Sequence, residues 1–122
     1  MLPAAHRLRR PEQFRAVLRG RRAGRSGGEL LVVHAAHVPR PADGAAVARV
    51  GFVVSKAVGN SVVRSRTVRV LRHVMASHLA ELPGDLDLVV RAQPAIAGIN
   101  SEHVDEELRR HLHRALSRAR SG

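Results

Sequence analysis

The chain has 122 residues, of which 44% are apolar, so it is long enough for one domain with a hydrophobic core. It contains no cysteine, which excludes a disulfide framework and thiolate metal sites. No apolar run approaches the roughly 20 residues that span a bilayer, and no apolar stretch follows the basic N-terminus as in a secretory signal. The expected location is therefore the cytoplasm.

The charge is strongly positive and unevenly distributed. There are 21 Lys and Arg against 10 Asp and Glu, a net charge of +11, and a domain this basic usually has a polyanionic partner. Residues 1–28 hold eight Arg and one Glu, and residues 44–80 hold five Arg and Lys56 without an acid. Residues 81–107 reverse the sign, with seven acids and one Arg. The sequence thus predicts basic faces and a separate acidic side.

The first predicted element is a short helix that begins near Pro11 and ends at Gly20. Its apolar residues have helical spacing: Phe14, Val17 and Leu18. Residues 19–28 are rich in Arg and Gly, which predicts a basic link.

Two apolar runs follow, Leu30–Val38 and Val47–Ser55, and each predicts a buried strand. Residues 39–46 contain two prolines and a glycine, so they form a predicted variable loop. Because strands that are consecutive in sequence often pair, the two are expected to form a hairpin.

A long helix is predicted from Ser61 to Leu79. One face is largely apolar and consists of Val63, Thr67, Val70, Leu71, Val74 and His78. The opposite face carries Arg64, Ser65, Arg69 and Arg72, with Arg66 at its margin. Solvated helix faces normally mix both signs of charge, so an arginine stripe without acids favours contact with nucleic-acid phosphates. Val68 lies between Arg64 and Arg72 on this polar face, and binary patterning does not explain it.

The third predicted strand is Leu86–Ala92, and a last helix begins after a cap at Asn100 or Ser101. The core stripe of that helix is Val104, Leu108, Leu112, Ala115 and Leu116. The order α-β-β-α-β-α predicts an α+β protein, an α/β sandwich of one domain over residues 1–122. Residues 119–122 are expected to be a disordered tail.

The stretch Arg49–Arg72, RVGFVVSKAVGNSVVRSRTVRVLR, resembles the signature of the bacterial ribonuclease P protein subunit. That signature has a strand ending in Val-Ser-Lys-Lys, then Val-Gly-Asn, then a helix with Arg-Asn-Arg-x-x-Arg-x-x-Arg. The segments LRRPEQFRAVLRGRR and DLDLVVRAQP match the family as well, so the resemblance covers nearly the whole chain. It implies a small central sheet packed by helices, with a left-handed β-α-β crossover.

The resemblance also implies two sets of site residues. Those facing RNA would be Ser55, Lys56, Gly59, Asn60, Arg64, Ser65, Arg66, Arg69 and Arg72. A cleft for the single-stranded 5′ leader of precursor tRNA would include Phe14 and a strand position that falls at Val33 or His34. Core packing is an equally good explanation of Phe14. The sequence departs from the family pattern at Leu18, Ala57, Ser65 and Val68.

In the family that the chain resembles, the RNA subunit is the catalyst and requires Mg²⁺, while the protein binds that RNA and the leader. The resemblance therefore implies an accessory subunit of an endoribonuclease that is inactive alone and binds no cofactor, metal, membrane or small molecule. The sequence agrees, since it has no His-x-x-x-His or Glu-x-x-His spacing. The nearest alternative is a ribosomal or ribosome-assembly RNA-binding protein. A metal-dependent nuclease would need clustered acids, and a membrane-surface protein would need a bulky apolar face.

Overall fold

The computed structural model describes residues 2–39 and 47–119. Apart from Pro39 and Ala119, the predicted variable loop and tail lie outside the described residues. The helices are α1 (Pro11–Arg19), α2 (Ser61–Ala76) and α3 (Ser101–Arg118). The strands are β1 (Gly24–Gly27), β2 (Leu31–His37), β3 (Arg49–Val53) and β4 (Leu86–Ala92). Short 3-10 turns occur at Ala4–His6, Leu79–Glu81 and Pro94–Ile96.

The four strands form one sheet in the order β1-β2-β4-β3. The predicted hairpin between β2 and β3 is wrong, because β4 lies between them and is antiparallel to β2 and parallel to β3. A parallel pair needs a long crossover connection, and α2 supplies it. The α+β class is confirmed, whereas the left-handed sense of the crossover stays a prediction.

Strand β1 lies within the segment that was expected to be a link. It pairs with β2 in antiparallel register, and its first residue packs against α3. A Cβ atom on Gly24 would overlap the carbonyl oxygen of Ala115, so only glycine permits this approach. Close packing on α3 thus explains a strand that glycine-rich composition argues against.

The sheet buries different residues on its two faces. The main core lies between the sheet and helices α2 and α3, and it includes Leu31, Val33 and Ala35 from alternate positions of β2. A smaller cluster under α1 contains Leu8, Val17, Ala36 and Val89. Residues next to each other on a strand therefore belong to different sides of the domain.

Asparagine side chains begin the two long helices. The Oδ1 atom of Asn60 accepts a hydrogen bond from the backbone N–H of Val63 at 3.0 Å, and Asn100 caps α3 by the same bond from His103 at 2.8 Å. Of the two predicted caps for α3, Asn100 is therefore the one used. Helix α2 ends at Ala76, three residues before its predicted end, and a 3-10 turn follows.

A buried polar network attaches the β1–β2 hairpin to α3. The Glu107 carboxylate accepts hydrogen bonds from the backbone N–H groups of Leu30 and Leu31 at 2.8 and 3.1 Å. One turn later, His111 Nδ1 lies 2.8 Å from the Ser26 hydroxyl. Because these side chains are buried and each has a hydrogen-bond partner within the fold, the network is structural.

Candidate RNA-binding surface

Helix α2 and the end of β3 enclose a surface concavity of about 550 Å³. Its lining residues are Phe52, Val54, Ser61, Arg64, Ser65, Val68, Arg69 and Arg72. Three of the four predicted α2 arginines thus share one concavity that no carboxylate lines. The Nε atom of Arg64 is buried and has no hydrogen-bond partner among the described residues. The concavity is suited to an anion, because its donors are not already occupied by acids.

Arg66 lies on the other flank of α2. It lines an apolar groove of about 380 Å³ together with Val63, Val70 and the turn that contains Ile96 and Ile99. The structure therefore does not bring Arg66 together with the other three arginines. The helical wheel placed Arg66 at the margin of the arginine face. Because α2 packs against the segment before α3, Arg66 lies on the side of the helix that faces that segment.

The turn before α2 has both exposed and structural residues. Ser55 and Lys56 are exposed, and the N–H of Gly59 donates to the carbonyl of Lys56 at 3.2 Å. A Cβ atom on Gly59 would lie 2.8 Å from the Val63 side chain, so glycine lets the turn close on the helix. The side-chain oxygen of Asn60 is engaged in capping. Ser55 and Lys56 therefore present exposed side chains to a ligand, whereas Asn60, which is also exposed, uses its side-chain oxygen for the cap.

Val68 and Phe52 connect the arginine concavity to a second, smaller one of about 210 Å³ at the edge of β3. The second concavity is lined by Arg7, Leu8, Phe14, Val50, Gly51, Phe52, Val68 and Arg72. Val68 is only partly buried, so the valine on the polar face forms an apolar floor beside Phe52. The surface thus continues around the β3 edge from α2 to α1.

Phe14 packs directly on the backbone of β3. A Cβ atom on Gly51 would overlap Cζ of the Phe14 ring, so the ring occupies the space that a larger residue would fill. The ring belongs to the small cluster under α1 but is only partly buried. Core packing and an accessible ring edge therefore coexist at Phe14.

The structure resolves the strand position that the sequence left open between Val33 and His34. Val33 is fully buried in the main core, on the face of the sheet that packs on α2 and α3. It therefore cannot line a cleft with Phe14. His34 pairs with Val89 of the cluster under α1, so His34 is the residue that faces the Phe14 side.

His34 lies between two arginines that the sequence motifs did not identify. Arg25 is its cross-strand partner on β1, and Arg91 lies two residues beyond Val89 on β4. The His34 side chain is buried, and its Nε2 atom has no hydrogen-bond partner among the described residues. Burial, and then the charges of Arg25 and Arg91, lower the pKa of His34 from 6.5 to about 4. The imidazole is neutral at pH 7, so the charge of this face comes from the arginines.

Residues 2–39 and 47–119 contain no group of three or more His, Asp or Glu side chains that could hold a metal ion. Within those ranges, no helix is both long and apolar enough to cross a membrane. The expectation that the chain itself binds no metal or cofactor stays a prediction.

The fold and the arginine concavity are those of a basic α+β protein with a surface suited to a polyanion. The family model described as Ribonuclease P matches residues 2–116, and the chain belongs to that family. A ribonuclease P protein component from a Nocardioides species is 50% identical over 113 residues, covering 92% of each chain. The component from Streptomyces bikiniensis is 48% identical and covers 100% of this chain and 98% of its own. A ribosomal or ribosome-assembly role is not favoured.

Solved structures show the same fold at much lower sequence identity. The RNase P protein from Staphylococcus aureus is 20% identical, with a TM-score of 0.70 over 100% of this chain and 97% of its own. The RNase P protein from Thermotoga maritima is 21% identical, with a TM-score of 0.69 over 85% of this chain and 92% of its own.

Proposed function

We propose that the chain binds the RNA subunit of ribonuclease P through the arginine concavity of α2 and binds the 5′ leader of precursor tRNA beside Phe14. The RNA subunit carries the catalysis with its own Mg²⁺, and the protein favours precursor over mature tRNA. Because both partners are cytoplasmic RNAs, the proposed location is the cytoplasm. The observation that carries the proposal is the continuous surface around the β3 edge, which joins three arginines to a partly exposed phenylalanine. Phosphate contacts and base stacking are the interactions by which proteins bind single-stranded RNA without reading its sequence.

Cleavage of precursor tRNA tests whether the RNA subunit is the catalyst and the protein is its accessory subunit. We expect that bacterial ribonuclease P RNA cleaves at the leader junction at lower Mg²⁺ when the protein is added. The RNA-free protein should release no leader at any Mg²⁺ concentration, because the His, Asp and Glu side chains of the described residues form no group of three or more that could bind a catalytic metal ion. Release of the leader by the protein alone would contradict the proposal.

A matched pair of variants tests the arginine concavity. Arg69 on α2 and Arg109 on α3 are both exposed, and either change to Ala removes one positive charge from a helix surface. We expect Arg69→Ala to weaken binding of the RNA subunit and to reduce the log–log salt slope by about 1. Arg109→Ala should leave both unchanged, since Arg109 lies near Asp105 and outside the concavity. Equal effects would show that net charge, and not this surface, governs binding.

A further inference from the structure

A second group of arginines lies at the opposite edge of the sheet from the α2 concavity. Residues 13–28 hold five Arg and no acid, and so do residues 108–122. These segments are far apart in sequence, but the Arg118 guanidinium donates a 2.8 Å hydrogen bond to the carbonyl of Arg25. Gly24 lies directly against Ala115. The fold therefore joins two acid-free arginine segments into one surface at β1.

Several side chains of this surface lie close together. We call it the β1-edge surface and define it by Arg21, Arg22, Arg25, Arg110, Arg114 and Arg118, all of which are exposed. Burial lowers the pKa of His111 and Glu107 raises it, and three nearby guanidinium groups lower it further, those of Arg110, Arg114 and Arg118. His111 in turn contacts Ser26, the residue after Arg25. The α3 arginines therefore gather around β1.

The acids near this surface do not neutralise it. Glu107 is buried, and its carboxylate is occupied by the N–H groups of Leu30 and Leu31. Glu29 and Glu106 are exposed at the border, and together they oppose six arginines. The surface keeps a net positive charge and requires a polyanion of some length to match it.

The β1-edge surface is continuous with the face that carries Phe14. Arg25 belongs to both, because it pairs with His34 across the sheet. From β3 to β1 there are three inter-strand gaps of about 4.8 Å, about 14 Å in total. A few nucleotides of extended RNA would cross this distance. A single strand can then bend over the β1 edge towards α3, which a stiff duplex cannot do within one small domain.

We infer that the β1-edge surface binds the phosphate backbone of the distal part of a long 5′ leader, beyond the nucleotides next to Phe14. This inference rests on the proposed function and extends it, because it assigns the distal leader nucleotides a binding surface separate from the one beside Phe14. In this arrangement the arginine concavity of α2 binds the RNA subunit at one edge of the sheet, and the leader extends across the opposite edge, at β1.

The test uses the protein assembled with ribonuclease P RNA and two precursor tRNAs that differ only in leader length, about 4 or about 15 nucleotides. Two variants change the surface from separate segments, Arg22→Glu and Arg114→Glu. Arg109→Glu is the matched control, since it makes the same charge change on an exposed residue of α3 outside the surface.

Both surface variants should weaken binding of the long-leader substrate several-fold and reduce its salt slope by about 0.7 for each phosphate that is no longer bound. Binding of the short-leader substrate should not change, and Arg109→Glu should resemble the parent with both. Equal affinity of the parent for both leaders would overturn the inference. So would a weakening by the surface variants that is the same for both leaders, because the surface would then contact the RNA subunit or the tRNA body. If the parent fails to bind the RNA subunit at all, it is the proposed function that fails.

Discussion

Acidification should destabilise this protein through His34, the buried imidazole between Arg25 and Arg91. Its pKa in the folded chain is about 4, against 6.5 ordinarily. Below pH 6.5 the unfolded chain therefore binds a proton on His34, whereas the folded chain binds that proton only as the pH approaches 4. The stability due to the neutral imidazole is fully present above pH 6.5 and is lost as the pH falls towards 4.

The size of the loss follows from the two pKa values. At about 1.4 kcal/mol per pKa unit, the difference between the two pKa values corresponds to about 3 kcal/mol of stability, all of which is lost at low pH. At pH 5 about 2 kcal/mol has gone. Because small domains have net stabilities of about 5–15 kcal/mol, a loss of this size is easily measured.

Urea unfolding at pH 7.5 and pH 5 measures the effect in the parent, in His34→Leu and in the control His113→Leu. His34→Leu should be as stable as the parent or more stable at pH 7.5, since it removes a buried Nε2 atom that has no partner among the described residues. It should lose about 2 kcal/mol less than the parent on acidification. His113 is exposed, so its removal should leave the pH dependence as it is.

The buried His111, whose pKa is also lowered, contributes equally to all three proteins and cancels in the comparison. If His34→Leu lost as much stability between pH 7.5 and pH 5 as the parent, the neutral, desolvated state of His34 would be refuted.

Three further substitutions test the surface and the core. Val68→Lys should raise affinity for the RNA subunit at moderate salt and steepen the salt slope by about 1; a lower melting temperature without a gain in binding would show that the valine is needed for packing. Gly51→Ala should displace the Phe14 ring, which overlaps the added Cβ position, and should reduce the preference for precursor over mature tRNA in competition binding; an unchanged preference would separate Phe14 from the leader. Asp87→Asn should destabilise by about 3 kcal/mol in urea unfolding, because it removes the buried counter-charge of Arg49; a change too small to measure would show that the pair adds nothing.

The sequence predicted the elements that have strong periodicity and missed what depends on contacts between distant segments. Helices α1, α2 and α3 and strands β2, β3 and β4 follow from apolar spacing and caps. Strand β1 could not be found in this way, because Gly24 is required by the backbone of α3 and not by any local preference. The mistaken hairpin has a similar cause, since adjacency in sequence favoured pairing that β4 in fact interrupts.

In the candidate site, too, the sequence predicted what helical periodicity determines and missed what depends on contacts between distant segments. The wheel placed Arg64, Arg69 and Arg72 on one face, and the concavity contains all three. It could not show that Arg66 turns to the other flank, because that depends on the turn before α3. Arg25 and Arg91 carry no motif, and only the register of the sheet places them beside His34.

The position of β4 has a consequence for how the molecule is made. β4 is the last of the described strands in the chain but an inner strand of the sheet, paired with β2 on one side and β3 on the other. A nascent chain that has emerged only as far as α2 therefore holds two separate β pieces with unpaired edges, and such edges invite aggregation. Pairing of β2 with a strand so much later in the chain, Leu31 with Ala92 at its far end, is a non-local step of the kind that slows folding. Helix α2 is synthesised before the sheet that positions it can close, so the arginine concavity takes its final shape only after the acidic segment 81–107, which contains β4, has followed.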